Sequence, residues 1–586
     1  MNLALRLPTT AALALAPALA PALAAQATLG LHEIQPGMKG YGRTVFRGAK
    51  IERFEFEVLG VQRNMAPGRS LILVKASGGP LAETGILAGM SGSPCYIDGK
   101  LVGALSTGFT FEKEAIGGIT PIADMTEQLR DVPEGASSRT PLVLPKIEPP
   151  KVLKAALTGG LVAFRDLAGE EGNRPELPML VTGAPLGAEA RGFLDGLPLQ
   201  YAAAPTLAPA PGGEASPLEP GGMVSIALVQ GDMEMAASGT ITQVSGKRVL
   251  LFGHQLLNLG PVDLPMWSAS VAYSMPSYLS SFKLATPVAP VGAVRMDRST
   301  GVAGVLGAEA RMIPLRVGLN LGGRRTVNFR FELMDHPFLT PFLAATVLTQ
   351  ALNAQVRGLG FQSLALQGNI KVAGHAPIQL ENVVADLNPG RLSAFVGGML
   401  QALTTNPFER PEIEGISLTI KAEERLDLTT IAGARTLKAR VRRGESLPVL
   451  VALQNIQGVR EQVTLNIPVS ASAQKGKAVI MVGDGFSLAA ADPDEKAVDV
   501  ASLNDVTRLL NGALRNNHAY ALLVQAQPGA GLRGSRIEGI PPSVAALLGA
   551  DGVTFDNRLQ RRIVGRAWLP LEREVKGLVQ LEVEIE

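Results

Sequence analysis

Cysteine is almost missing from this chain. Cys95 is the only one in 586 residues, so no internal disulfide can form. A cysteine-based zinc site is excluded for the same reason. Histidine is scarce too, with only His32, His254, His336, His375 and His518, and no two of them stand at metal-ligand spacing. Charge of one sign is lacking. A net charge of +2 gives no electrostatic basis for binding nucleic acid or an anionic membrane surface. Beyond the N-terminal segment, no run reaches the roughly 20 uninterrupted apolar residues that a spanning helix needs. Aromatics make up only 4%, whereas Gly (65) and Pro (41) are plentiful. That balance predicts many turns and short strands, hence a mainly β protein.

What is present describes a folded chain. Apolar residues are 46% and charged residues 18%, which excludes general disorder. The length predicts roughly three to four domains. Residues 1–27 read as a secretory signal, with an Ala/Leu-rich run that ends in Ala22-Leu23-Ala24 and Ala25-Gln26-Ala27. The expected location is therefore exported, periplasmic or extracellular. Residues 28–135 carry strand signals. Phe54, Phe56 and Val58 alternate with Arg53, Glu55 and Glu57, and Asp98-Gly99 predicts a tight hairpin turn. An insert with an Ala/Pro-rich linker fills 136–222, and strands resume over 223–320. A mixed α/β connection with two helices, near Pro341–Arg357 and Leu392–Leu403, spans 321–408. A β-sandwich-like domain is expected at 409–475, from Ser417-Leu418-Thr419-Ile420 and the apolar run Val449–Leu453. An α+β domain follows at 476–586, with Ser502 capping a helix and Asp505 three residues on.

A serine nucleophile needs a sharp turn, small neighbours and free backbone N–H groups. Gly89-Met90-Ser91-Gly92-Ser93-Pro94 can supply all three. Gly89 and Gly92 permit unusual backbone angles, and the N–H groups of Gly89 and Ser91 can converge on an oxyanion. By composition alone such a turn is more often just a turn.

The string Glu83–Pro94, with Asp98-Gly99-Lys100-Leu101-Val102-Gly103-Ala104 after it, closely resembles the SpoIVB peptidase family of sporulation signalling proteases. Pro36–Phe46 and Gly117–Ile122 fit the same group. His254, behind Ala237–Thr242 and Leu251-Phe252-Gly253, resembles the segment in which a Gly-Thr strand leads to a Gly-His catalytic turn. Gly231-Asp232, Gly260–Pro265, Val291-Gly292-Ala293 and Asp297-Arg298 match its surroundings. The resemblance implies a chymotrypsin-like double β-barrel, with Ser91 as nucleophile, His254 as general base, and Gly89 and Ser91 as the oxyanion hole. In that family the histidine half comes first. Here the order is reversed, which reads as a circular permutation.

The family's acid precedes its nucleophile motif, and the matching stretch Ala76–Leu81 has no carboxylate. Asp232, Asp263 and Glu83 remain candidates for the third member. No PDZ module is recognisable. The expected activity is serine endopeptidase action on a protein or peptide substrate, with no cofactor, metal, nucleic acid or membrane span after signal removal. The alternative is an inactive peptidase-like scaffold in the cell envelope. In either case the C-terminal β domains are candidate contacts for a protein partner.

Overall fold

The structure, a computed structural model, describes residues 26–66, 68–109, 112–130, 132–133, 152–153, 155–156, 179–195, 199–203, 215–323, 325–356, 360–491, 500–532, 535–538, 541, 543–544 and 558–586. Nearly all of the expected signal and the centre of the Ala/Pro-rich linker lie outside these residues.

Six strands open the fold: β1 (Lys39–Val45), β2 (Ile51–Ala66), β3 (Arg69–Ser77), β4 (Ser93–Ile97), β5 (Lys100–Gly108) and β6 (Ile116–Pro121). They close into a barrel in the order β1-β2-β3-β6-β5-β4, with β4 returning to β1 at Tyr41 and Gly42. In β2 the alternation decides the inward face: Phe54, Phe56 and Val58 are buried while Arg53, Glu55 and Glu57 face solvent. Asp98 (φ 47°) and Gly99 (φ 75°) make the β4–β5 turn, as the Asp-Gly pair predicts for a type I′ geometry.

Two short strands, β7 (Met179–Gly183) and β8 (Leu199–Ala203), precede a second set: β9 (Met223–Gly231), β10 (Met235–Ser245), β11 (Arg248–Leu251), β12 (Gly260–Met275), β13 (Phe282–Arg298) and β14 (Gly301–Leu306). Here β9 pairs with β12, β12 with β13, β13 with β14, β14 with β11 and β11 with β10. The pairing of β10 with β9 completes the circuit. This is a second six-stranded ring.

The second ring continues outward as a sheet. β15 (Met312–Leu321) pairs with β16 (Thr326–Met334), which docks on β9. β17 (Gln362–Val372), β18 (Ile378–Asp386) and β19 (Ile413–Glu423) extend it further. The Ser417–Ile420 stretch, expected in a sandwich, therefore lies in this sheet, parallel to β15 and antiparallel to β17. Its alternating pattern fits any half-buried strand and carries no information about the partner. Helices Leu339–Asn353 and Gly390–Thr404 are buried along almost their whole length and belong to the same core.

Beyond Leu428 two sheets face each other. Leu428–Thr436, Ser446–Asn455, Arg460–Pro468 and Glu574–Lys576 form one. Arg440–Val441, Gly476–Gly483, His518–Leu532, Ser535–Glu538, Arg558–Pro570 and Leu578–Ile585 form the other. Val449, Val451, Ile480, Leu523 and Val564 share one core between them, which is the packing of a β-sandwich. Ser502 caps helix Leu503–Asn511 by accepting the Asp505 N–H. That helix turns Leu503, Val506 and Leu510 into the core of the large sheet.

The two barrels pack on each other directly. Tyr96, Leu101, Ala104, Ile122 and Met125 of the first meet Leu250, Met296, Ala303 and Val305 of the second. A further cluster joins Val45 to Met223, Ala269, Val271 and Ala285. Each large aliphatic side chain buried here contributes roughly 1.5–3 kcal/mol, so the seam between barrels is a core in its own right.

Candidate active site

Ser91 lies in the turn between helix Leu81–Thr84 and β4. The turn is built from backbone: Met90 N–H donates to Leu87 O, Ser93 N–H to Met90 O at 2.8 Å, and Gly92 N–H to Leu105 O at 2.8 Å. The second barrel grips its carbonyls. Thr240 N–H donates to Ser91 O at 2.8 Å, Thr240 Oγ1 to Gly89 O at 3.0 Å, and Thr242 Oγ1 to Gly92 O at 2.8 Å. Gly92 is required by this contact. A Cβ there would lie 2.0 Å from Thr240 O and 2.5 Å from Phe252 N. Among the described residues, the N–H groups of Gly89 and Ser91 donate to no protein acceptor, which leaves them free for a ligand oxygen.

His254 follows β11 through two left-handed residues, Phe252 (φ 68°) and Gly253 (φ 69°). Phe252 is fully buried, so packing holds it in a conformation that bulky residues avoid. Thr120 Oγ1 of the first barrel donates to Gly253 O at 2.8 Å. The turn thus delivers His254 across the seam. Ser91 and His254 line one cleft of about 190 Å³, together with Thr84–Gly89 residues, Leu105–Phe109, Glu112 and the Ser277–Ser281 segment. No hydrogen bond joins Ser91 Oγ to His254 among the described residues. Such contacts are often long in the absence of substrate.

Residues 25–125 match the SpoIVB peptidase S55 family. The match spans the first barrel, Ser91 included, and stops before the second barrel begins. No curated protein and no solved structure matches the chain.

In the second barrel, the histidine has a defined hydrogen-bond state. His254 Nδ1 lies 2.7 Å from Gln255 O. A carbonyl only accepts, so Nδ1 carries the proton and Nε2 keeps its lone pair. His254 is buried. Burial lowers its pKa, and the Gln255 carbonyl opposes that in part. The ring is therefore neutral at ordinary pH, as a base must be.

Of the three carboxylates considered for the acid, two are engaged elsewhere and one faces solvent. Asp232 accepts the Arg330 N–H at 2.7 Å in the β9–β10 turn. Asp263 pairs with Arg295. Glu83 is exposed on the helix ahead of the turn. None of them bonds to His254. Asp297 has a different task. It is buried in β13 and accepts the N–H groups of Leu256 (2.8 Å), Leu257 (2.7 Å) and Leu259 (3.3 Å). It thereby fastens the loop that follows His254. Burial raises its pKa, and those N–H groups counter the rise. The Asp297-Arg298 motif marked this residue in the sequence, though not its role.

One cleft residue and one residue buried behind the Ser91 turn carried no sequence signal. Glu112 lies on the cleft wall, where its Oε1 accepts the Ile86 N–H at 3.0 Å; burial raises its pKa. Lys283 in β13 is fully buried, and its Nζ donates to Thr44 Oγ1 at 2.6 Å. His336 serves structure: its Nδ1 accepts the Phe338 and Leu339 N–H groups at the start of a helix. Among the described residues no group of His, Cys, Asp or Glu is arranged to hold a metal.

Proposed function

We propose that the chain is an exported serine endopeptidase whose site spans the barrel seam. Ser91 Oγ attacks the peptide carbonyl carbon while His254 Nε2 takes its proton. The carbonyl oxygen gains the negative charge and is held by the Gly89 and Ser91 N–H groups. Collapse breaks the C–N bond, and His254 returns the proton to the leaving amine. Water then repeats the sequence on the acyl-enzyme. The chain order, serine barrel before histidine barrel, fits a permuted version of the double-barrel plan. The observation that carries the reading is the shared cleft of Ser91 and His254, with the N–H groups of Gly89 and Ser91 unoccupied.

A carbonyl in place of the acid fixes the histidine tautomer. A wrong tautomer costs about 10⁴ in rate, and Gln255 O removes that cost. It gives less help to the imidazolium that forms during attack, because it carries no full charge.

A second reading is a binding scaffold on an inactive core. It is favoured by the absence, among the described residues, of a carboxylate partner for His254 and of a Ser91–His254 hydrogen bond. The test is labelling by a fluorophosphonate probe and turnover of casein, for wild type, Ser91→Ala and His254→Ala. The peptidase reading expects both signals to fall by on the order of 10³ or more in each variant. Equal turnover in wild type and Ser91→Ala would remove Ser91 from the mechanism. Strong labelling that depends on His254 would remove the scaffold reading.

A further inference from the structure

Lys283 is a buried amine with no counterion among the described residues, placed directly behind the Ser91 turn. Its backbone N–H donates to Ala88 O at 2.9 Å, and Ala88 N–H donates to Ser281 O at 2.8 Å. Its side chain then runs under Gly89. Its Cβ, Cδ and Cγ lie 3.3, 3.4 and 3.5 Å from where a Gly89 Cβ would sit. The stem therefore forms the floor of the residue that offers an N–H to the cleft.

The head group crosses to the other barrel. Nζ donates to Thr44 Oγ1 of β1 at 2.6 Å, with Met223 Sδ of β9 at 3.7 Å and the Phe46 ring centroid at 6.0 Å. Thr44 Oγ1 also accepts from Ser93 Oγ at 3.0 Å, two residues after the nucleophile. One polar chain thus links β13 to β1 and β4. No carboxylate reaches Nζ among the described residues, and the nearby Arg43 is already paired with Glu219. Burial alone lowers the Lys283 pKa, to about 7. A lone lysine in a core is expensive, and packing around it would be satisfied more cheaply by Met.

We propose that Lys283 is a positioning residue for the nucleophile turn: its ammonium ties the two barrels through Thr44 and Ser93 and brings positive charge to the wall on which the oxyanion forms. The inference rests on the Ser91–His254 reading. It gives the buried amine a reason to be there, a loss of stability accepted in return for a fixed and electropositive oxyanion turn.

The charged form is the working form, so this contribution is lost as pH rises through about 7. The experiment uses the full chain and measures the rate of fluorophosphonate labelling, and kcat and KM on casein, from pH 5 to pH 9. Lys283→Met is expected to lower kcat about tenfold or more with little change in KM, and to erase the alkaline limb near neutrality. It is also expected to raise the denaturant midpoint at pH 6. A purely structural lysine would not move kcat and stability in opposite directions. Thr44→Val keeps the lysine but removes its oxygen acceptor, and should move the alkaline limb to lower pH. An unchanged labelling rate and pH profile in Lys283→Met overturns the inference while leaving the peptidase reading intact. If Lys283→Met does not fold, an alkaline limb that Thr44→Val leaves in place overturns it equally. Labelling that survives Ser91→Ala defeats the underlying reading instead.

Discussion

In the first barrel, Ser91 sits on a turn whose carbonyls at Gly89, Ser91 and Gly92 are all held by β10 of the other barrel. In the second, His254 sits on a loop fastened from within by a single buried carboxylate, Asp297. Ser91 is thus located by the seam, and His254 mainly by its own barrel, with one seam bond, Thr120 Oγ1 to Gly253 O, ahead of it. Damage to the seam should move Ser91 first, and damage to Asp297 should move His254 first. The proposed mechanism needs both groups in one cleft, so either displacement is expected to remove activity. The two differ in size and in what else fails.

The largest effect is expected at Gly92. A methyl group there collides with Thr240 O and Phe252 N, and both are backbone atoms. The residue also has φ of 95°, which an L side chain adopts at a cost of about 1–3 kcal/mol. Gly92→Ala must push β10 away from the turn, and with it the grip on Ser91. A displacement near 1 Å is worth on the order of 10² in rate. Fluorophosphonate labelling should fall by at least that factor, and the thermal midpoint should drop as the seam opens. Labelling at the wild-type rate would show that the seam does not locate Ser91.

A smaller loss is expected from Asp297→Asn. The amide keeps the volume but replaces one accepting oxygen with a donor, facing either Leu256 N–H or Leu257 N–H. An unsatisfied buried group costs roughly 1–3 kcal/mol. Turnover should fall about tenfold because the loop behind His254 loosens, while the Ser91 turn keeps its hydrogen bonds to Thr240 and Thr242. Amide exchange is the discriminating measurement. Faster exchange at Leu256 and Leu257, with Gly92 and Thr240 unchanged, fits the division of labour. Equal acceleration in both barrels would break it.

The sequence made the first barrel readable because its signals are local. The Phe54–Val58 alternation, the Asp98-Gly99 turn and the Ser91 motif each need only a few neighbouring residues, and β2, the β4–β5 hairpin and the Ser91 turn all follow from them. The mainly β character was likewise legible from turn residues and short apolar runs. What closes the second ring was not, since β9 finds β12 and β10 through pairings that residue patterns do not encode. The same limit misassigned the Ser417–Ile420 strand, which alternates correctly but joins a sheet some hundred residues upstream. At the site, Ser91 and His254 stood out by their flanks. Lys283 did not, because a single lysine at the start of a β run reads as solvated until Thr44 and Gly89 are seen around it. The acid was sought among carboxylates, and the atom that meets His254 Nδ1 is the carbonyl of the next residue, which no side-chain motif can announce.

The smallest expected effect lies in the acid limb of activity, and it bears on that carbonyl. In the proposed mechanism only neutral His254 takes the Ser91 proton, so kcat/KM is expected to fall as the ring protonates. Two forces set where this happens. Burial disfavours the imidazolium and lowers the pKa, and the Gln255 carbonyl favours the Nδ1–H and raises it, with burial the larger. The midpoint of the acid limb should therefore lie below the usual histidine value of 6.5. The ring also contributes stability above pH 6.5 that is lost as pH falls towards the lowered value, because the unfolded chain takes up the proton first. A carboxylate partner would reverse both signs, since its charge holds the imidazolium and lifts the pKa. Profiles of kcat/KM on casein, or of fluorophosphonate labelling, between pH 4.5 and pH 7 separate the cases. Because kcat/KM reports the free enzyme, a midpoint above 6.5 would mean that an acid already faces His254 before substrate binds, and the two barrels would then hold a full triad between them. A midpoint below it would leave the base oriented by backbone alone, with Lys283 and the Gly89–Ser91 N–H groups supplying the electrostatics that a triad acid otherwise shares.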